Sequence, residues 1–270
     1  MTRVLSGAVL IAFAVAAVWL SPDWLFFFVG EAVLLLAFLE YARLAEASDL
    51  PIPKIAAGAS TLLACAGVAS IQWIGNQAAA VAVGLDAILM SAFVIVAAMS
   101  IASWHGGRDA LGRTAAALLP SLYLGLPVGA IISLRLVHGP QVLFLFMLTV
   151  FVSDTAQYYA GRAFGRRPLA PAISPKKTVE GAVGGFVFGA LTLAVIGNWW
   201  LPDLPAASRA VLGVAVVALG IAGDLFESML KRSADLKDSS SLIPGHGGIL
   251  DRLDALLFAA PVYYIVLKYV

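Results

Sequence analysis

The chain has 270 residues, of which 61% are hydrophobic and 12% are charged, and its formal net charge is +1. Soluble domains carry about 25% charged residues, so this composition excludes a water-soluble globular protein and favours one embedded in lipid. The near-neutral charge does not indicate a nucleic-acid partner, and we expect none. The single cysteine, Cys65, rules out an internal disulfide and a cysteine-based metal site.

Nine apolar stretches follow one another along the chain, each close to the ~20 residues that cross the core of a bilayer. We expect helices throughout, because lipid offers no water to satisfy backbone polar groups. The predicted spans are 4–20, 24–42, 55–74, 78–102, 114–134, 141–163, 181–200, 210–230 and 251–269. The predicted fold class is therefore all-α, a polytopic integral membrane protein. Pro120 and Pro127 lie inside the fifth span and should kink it.

The distribution of lysine and arginine predicts the orientation of these spans. If the N-terminus is cytosolic, all of the 17 basic residues except Arg135, Arg209 and Lys268 fall in cytosolic segments, as the positive-inside rule requires. The long charged loops 164–180 and 231–250 then face the cytosol. We expect one transmembrane domain over residues 1–270 in the inner or plasma membrane. In it, helices of 1–140 supply packing and candidate dimer contacts, and 141–270 is the catalytic half.

The loop between the sixth and seventh spans carries the first group of polar residues. It ends in the segment SPKKTVEG at 174–181. Lys176 and Lys177 lie between two hydroxyl side chains, which favours phosphate binding. Arg166 and Arg167 are ambiguous, because basic residues in a cytosolic loop also anchor it to anionic lipid.

The eighth span ends in a second polar group. Asp224, Glu227 and Ser228 are spaced i, i+3 and i+4, so they share one helix face. A carboxylate at membrane depth costs roughly 2.5–3.5 kcal/mol, and such residues usually face a polar cavity. Lys231 and Arg232 follow one turn later, so a helix-end salt bridge with Lys231 is an alternative role for Glu227.

The loop that follows is rich in small residues and hydroxyls. It contains Lys237 and Asp238, three serines, and then His246, Gly247 and Gly248. Glycines let backbone N–H groups approach phosphate oxygens closely, and the start of the next helix adds its positive dipole end. His246 is open to three roles, as a base, a phosphate donor or a residue that fixes the loop.

Asp251 and Asp254 begin the ninth span and, at i and i+3, share a face. Carboxylates are also common in the first turn of a helix, where they interact with its dipole. That preference alone does not explain why a basic loop, two glycines and two aspartates fall together at a membrane surface. Hard oxygen ligands at this density suit Mg²⁺, and phosphoryl or nucleotidyl transfer combines such a metal with basic residues that hold phosphates.

The same residues resemble a known family, the CDP-diacylglycerol synthases or phosphatidate cytidylyltransferases. The resemblance is carried by SMLKR at 228–232, KD at 237–238 and HGGILDRLD at 246–254. The segment 174–181, with Asp154 and Gly161 before it, is also similar to the family. The first half of the chain resembles the family only as a set of apolar spans.

The resemblance implies that CTP and the membrane lipid phosphatidate react to give CDP-diacylglycerol and pyrophosphate. It implies a requirement for Mg²⁺, ligated by Asp224 and Asp251 at a centre that family members can share with K⁺, and a homodimer. With the residue patterns above, it predicts a catalytic set of Asp224, Asp251, Lys231, Arg232, Lys237, Asp238, His246, Arg252 and Asp254. The predicted substrate-binding set is Ser174, Lys176, Lys177, Thr178, Glu180, Ser228, Gly247 and Gly248.

Alternative functions belong to other classes. A transporter would use the intramembrane acids Glu31, Glu40 and Asp86, but its site belongs near the midplane, whereas the polar residues here cluster at one face. A CTP-dependent polyprenol or lipid kinase would release CDP instead of pyrophosphate.

A structural scaffold is a further alternative, suggested by Gly181, Gly185 and Gly189. Their small-xxx-small spacing is typical of close helix packing in membranes. We expect this row to pack the seventh span, or a dimer interface, within the enzyme.

Overall fold

A computed structural model describes residues 2–73, 85–104, 106, 109–243, 245 and 247–269, with the side chains of 2–5, 70–73, 85 and 86 left out. Most of these residues are helical. The helices are α1 (Thr2–Leu20), α2 (Asp23–Ala47), α3 (Lys54–Trp73), α4 (Leu85–Ala102), α5 (Ala110–Pro120), α6 (Leu126–His138), α7 (Pro140–Phe164), α8 (Val179–Trp200), α9 (Ala206–Ser233) and α10 (Leu250–Tyr269). A π-helical turn, Ser121–Gly125, joins α5 to α6.

Five helices in the described part of the chain are long and apolar enough to cross a membrane. They are Asp23–Ala47, Ala110–His138, Pro140–Phe164, Val179–Trp200 and Ala206–Ser233. The prediction of a helical membrane protein is confirmed, while the count of nine spans and the cytosolic N-terminus stay predictions. Helix α10 does not meet the same criterion, because its first turns carry charged residues. Residues 74–84, which include the end of the third predicted span and the start of the fourth, lie outside the described residues.

Within the described residues, the departure from an all-α fold is a short antiparallel ribbon. Strand β1 (Pro168–Ala170) pairs with β2 (Ser174–Thr178), so that Pro168 lies opposite Thr178. We predicted a loop here. The ribbon satisfies backbone groups that an irregular loop would leave to water, and it leads directly into α8.

The kink predicted at Pro120 takes the form of the π-helical turn that follows it. Proline has no N–H and its ring crowds the carbonyl four residues earlier, which here belongs to Ala116. The hydroxyl of Tyr41 donates a hydrogen bond to that carbonyl at 2.8 Å. A side chain of α2 thus satisfies the backbone acceptor that the proline frees.

The glycine row at the start of α8 packs against α7 within the chain. A Cβ added at Gly185 would lie 2.6 Å from Cγ of Gln157, and one at Gly189 would lie 3.1 Å from Cβ of Ser153. Glycine therefore permits a separation of α7 and α8 that larger residues would prevent. This confirms the packing interpretation of the row.

Aromatic contacts hold α10 against residues from both halves of the chain. Tyr263 lies beside Phe146 of α7 with ring centroids 5.1 Å apart, and both side chains are completely buried. Tyr123, in the π-helical turn, packs edge-on against Phe226 of α9 at 5.1 Å and Phe258 of α10 at 6.1 Å. Rings of this size fix the position of α10 through extensive contact area.

The ends of four helices, α2, α8, α9 and α10, meet at one face of the bundle. The C-terminal part of α2 contacts the start of α10 through Glu40 and Leu250. The end of α9 contacts α10 through Lys231 and Asp251. The ribbon before α8 reaches α9 through Lys177 and Asp224. These contacts bring together residues that are far apart in sequence.

Candidate active site

Asp251, in the first turn of α10, is held by donors on both of its carboxylate oxygens. Its Oδ1 lies 2.5 Å from Nζ of Lys231. Its Oδ2 accepts from the N–H of Gly248 at 2.7 Å and from Ser239, through the N–H at 3.0 Å and the hydroxyl at 2.9 Å. Gly247 has φ +80°, and a Cβ there would lie 2.6 Å from Oδ2. The glycine thus provides both the left-handed turn and the space that this carboxylate needs.

Lys231 forms ion pairs with two carboxylates at the same time. Its ammonium pairs with Asp251 and also with Glu227, one turn earlier on α9. Glu227 is fully buried and only 12% of the Lys231 side chain is exposed. The helix-end salt bridge considered for Glu227 is therefore present. Removing one member of such a buried pair leaves an uncompensated charge, which typically costs about 3–5 kcal/mol.

A second group of charges surrounds Asp224. The carboxylates of Asp154, Asp224 and Asp254 lie close enough to repel one another. Lys177, reaching over from the ribbon, forms an ion pair with Asp224. The hydroxyl of Ser228 donates to Asp224 Oδ1 at 3.4 Å. Asp154 of α7 and Asp224 of α9 thus share this lysine, with Asp254 of α10 beside them, and Asp154 joins the predicted residues there.

These carboxylates fit a hard divalent cation by their chemistry. Mutual repulsion among Asp154, Asp224 and Asp254 would be relieved by a positive charge, and carboxylate oxygens are the ligands that Mg²⁺ prefers. Asp251 is less readily available as a metal ligand, because both of its carboxylate oxygens already accept hydrogen bonds from protein donors. Among the described residues, no group of three acidic, histidine or cysteine side chains is close enough to hold a metal by itself.

Two residues predicted to bind substrate have hydrogen bonds that shape the ribbon. Thr178 caps α8, its hydroxyl accepting from the N–H of Gly181 at 3.1 Å. The carboxylate of Glu180 accepts from the N–H groups of Arg166 at 2.9 Å and Arg167 at 3.2 Å. These contacts hold both ends of the 165–180 segment over the site and thereby position Lys177.

Five of the remaining predicted residues are exposed, namely Lys176, Arg232, Lys237, Asp238 and Arg252. Of these, Arg232 donates to the carbonyl of Leu236 at 3.2 Å. Ser174, at the start of β2, is half-buried. His246 lies outside the described residues.

The start of α10 differs from the sequence interpretation. We predicted that its N–H groups and dipole would be available to phosphate. Instead, the N–H of Gly248 donates to Asp251, and those of Ile249 and Leu250 donate to Glu40. Carboxylates of the protein satisfy the positive end of this helix.

Glu40 is the site residue that the sequence analysis missed, since it was assigned only to the transporter alternative. Its partners lie 199 to 210 residues further along the chain. No local sequence pattern indicates a contact between residues that are so far apart in the chain. The available signal was a single carboxylate near the end of an apolar span that is predicted to be cytosolic, a position that usually has a functional reason. Of the other acids in that alternative, Glu31 lies against the thiol of Cys65, and the side chain of Asp86 is outside the described part.

Comparison with known proteins agrees with the resemblance. Residues 1–270 match the sequence model of the Cytidylyltransferase family. The chain is 34% identical to the phosphatidate cytidylyltransferase of Haemophilus influenzae over 97% of this chain and 96% of that protein. It is 35% identical to the phosphatidate cytidylyltransferase of Pseudomonas aeruginosa over 98% of this chain and 96% of that protein. The chain therefore belongs to the cytidylyltransferase family.

Proposed function

We propose that this protein is a phosphatidate cytidylyltransferase, which transfers the cytidylyl group of CTP to phosphatidate. The proposal rests on one observation. The Lys231–Asp251 ion pair and the carboxylates of Asp154, Asp224 and Asp254 lie together at the helix ends of an apolar bundle. Such a site presents charge to a nucleotide while the surrounding helices remain in lipid. Relatives that bear this name, and that this chain matches over nearly their whole length, support the proposal.

The reaction joins a membrane lipid to a water-soluble nucleotide. An oxygen of the phosphatidate phosphate attacks the α-phosphorus of CTP, the new phosphorus–oxygen bond forms, and the bond from the α-phosphorus to the bridging oxygen breaks. Pyrophosphate leaves with the electron pair of that bond. The attacking oxygen is already anionic, so the site requires no strong general base.

The role of the protein's own residues is to bind the charged phosphate groups of the substrates and to balance their charge. Lys177 and Lys231 are half-buried cations beside the carboxylates, where they would draw phosphate oxygens inward. Lys176 and Arg232 at the rim would contact outer phosphates. Ser174, Ser228 and the loop glycines would complete the substrate contacts.

Mg²⁺ would be held by Asp224 and Asp251, the residues expected from the family resemblance. When bound, it would neutralise charge on the triphosphate and on the departing pyrophosphate. The neighbouring carboxylates of Asp154 and Asp254 support this assignment, because a cation beside Asp224 would relieve their repulsion. Binding at Asp251 would require exchange of one of its present donors.

The decisive experiment is an assay of purified protein in detergent with radiolabelled CTP and phosphatidate, with and without Mg²⁺. Labelled CDP-diacylglycerol and one pyrophosphate per product are expected. Release of CDP with a phosphorylated lipid would indicate the kinase alternative. Absence of any turnover in detergent, together with solute uptake in vesicles, would favour the transporter.

We also propose that the site faces the cytosol, where CTP is found. Introduced cysteines test this, because native Cys65 is completely buried and free. In inverted vesicles, a membrane-impermeant maleimide should label Lys176→Cys on the ribbon but not Asp203→Cys between α8 and α9. The reverse pattern would show that the orientation is wrong.

A further inference from the structure

Glu40 of α2 lies at the base of the loop that carries Asp251. It is 2% exposed, and it comes from the part of the chain to which the sequence assigns packing and candidate dimer contacts. A buried carboxylate in an apolar helix is costly unless hydrogen-bond donors surround it. The hydrogen-bond donors around Glu40 therefore indicate the role of this residue.

Four donors converge on the carboxylate. Oε1 accepts from the hydroxyl of Ser240 at 2.6 Å and the N–H of Ile249 at 3.0 Å. Oε2 accepts from the hydroxyl of Ser239 at 2.9 Å and the N–H of Leu250 at 2.8 Å. The two serines begin the loop and the two N–H groups end it. The Glu40 side chain thus holds both ends of the 239–250 loop. The positive end of the α10 dipole further stabilises its carboxylate.

The same loop supplies the donors to Asp251. The hydroxyl of Ser239 lies 2.9 Å from both Glu40 Oε2 and Asp251 Oδ2 and shares its single proton between them, while its N–H donates to Asp251. Gly248 directly precedes the two residues whose N–H groups donate to Glu40. A Cβ at Gly248 would collide with both Ser239 and Glu40, so the three groups are in close contact. Any displacement at Glu40 is therefore transmitted to Asp251 through Ser239 and Gly248.

We propose that Glu40 is a positioning residue for the transferase reaction, fixing the 239–250 loop so that Asp251 and Lys231 are held in their reactive arrangement. This inference rests on the proposed function. It differs from a general role in stability because it predicts altered kinetic constants in protein that is fully folded. Partners that orient a ligating side chain typically change metal affinity or activity by about 10–100-fold when they are removed.

Glu40→Gln tests the proposal with little change in shape. A serine hydroxyl can rotate to accept from the new amide, but a backbone N–H cannot, so one of the bonds from Ile249 and Leu250 is lost. We expect the Mg²⁺ concentration for half-maximal activity to rise, or kcat/KM for CTP to fall, by about 10-fold or more. Glu46→Gln, on the same helix in an exposed ion pair with Lys54, is the matched control and should behave as wild type.

A second readout is independent of activity and of metal. Hydrogen exchange of the metal-free protein should be faster in the 239–250 segment of Glu40→Gln than in wild type or Glu46→Gln. Ser240→Ala, which removes one donor, should give a smaller effect in the same direction. Ser241→Ala, whose side chain is exposed, should give none.

The outcomes separate this inference from the proposed function. Wild-type protein without cytidylyltransferase activity would overturn the proposed function. Active wild type with unchanged kinetic constants in folded Glu40→Gln would overturn the positioning role, whether or not exchange changes. Changed kinetic constants together with faster exchange confined to the 239–250 segment would establish it.

Discussion

Nζ of Lys231 lies 2.5 Å from Oδ1 of Asp251, and the same ammonium pairs with the fully buried Glu227. One cation therefore connects α9 to α10 and serves two carboxylates. Because neither acid has an equivalent cation elsewhere among its described contacts, the balance of charge in this group depends on Lys231. Activity and stability should respond differently when its members are changed.

Lys231→Met should both abolish activity and destabilise the protein. It leaves Glu227 and Asp251 without their shared cation, which should cost about 3–5 kcal/mol of unfolding free energy. Adding Glu227→Gln should restore part of the stability but none of the activity. Thermal unfolding in detergent and pyrophosphate release measure the two effects. Lys54→Met is the control, since its exposed pair with Glu46 contributes about 1 kcal/mol or less.

Asp251→Asn should reduce turnover by roughly 100-fold while the protein remains folded. The amide cannot accept from both Lys231 and the Gly248 N–H as a carboxylate does, and it is a poorer ligand for Mg²⁺. Pyrophosphate release is measured beside size-exclusion chromatography of the same samples. Asp235→Asn, at an exposed left-handed turn that asparagine tolerates, is the control. Turnover near that of wild type would contradict the proposed metal role.

Lys177→Met should be more damaging than Lys176→Met. Lys177 is 21% exposed and pairs with Asp224, whereas Lys176 points to the exposed side of the ribbon. Loss of the inner cation leaves Asp224 and Asp154 without their neighbouring positive charge, so we expect kcat/KM for CTP to fall at least 10-fold, within the range found for supporting residues. Steady-state kinetics at saturating Mg²⁺ compare the two variants. Equal effects would show that the ion pair with Asp224 is not important for activity.

Gly248→Ala should disrupt the loop. The added methyl group would collide with Ser239 and Glu40, both of which are buried and hydrogen-bonded. We expect loss of activity and a lower unfolding temperature, as overpacking of a fixed site costs roughly 1–3 kcal/mol. In Gly220→Ala, the new Cβ would have an ordinary contact of 3.7 Å with Ala255, so that variant should retain both properties.

Much of the helical architecture could be predicted, because lipid restricts an apolar segment to a helix. The end of α9 and the start of α10 were also predictable as a site, since their polar residues interrupt apolar runs at regular spacing. The ribbon was missed because its strands are short and contain neither alternating apolar residues nor a hydrophobic run. Glu180, which follows the ribbon, accepts from the N–H of Arg166, which precedes it, and so joins the two ends of the segment.

The contacts of the 239–250 loop could not be predicted for a different reason. Glycines followed by a helix start are typical of phosphate-binding loops, and the sequence contains nothing to show that two carboxylates already occupy the N–H groups. One of these, Asp251, is local, but Glu40 is brought there by the packing of α2 against α10. That packing depends on the whole bundle and has no signature in either segment.

The separation between Glu40 and its partners matters during synthesis. Residue 40 is made before its four donors, which follow 199 to 210 residues later in the chain. Until those residues are in place, this carboxylate lacks the hydrogen bonds that stabilise it. We therefore expect a chain that stops before residue 239 to lack activity and also to have a less stable second helix.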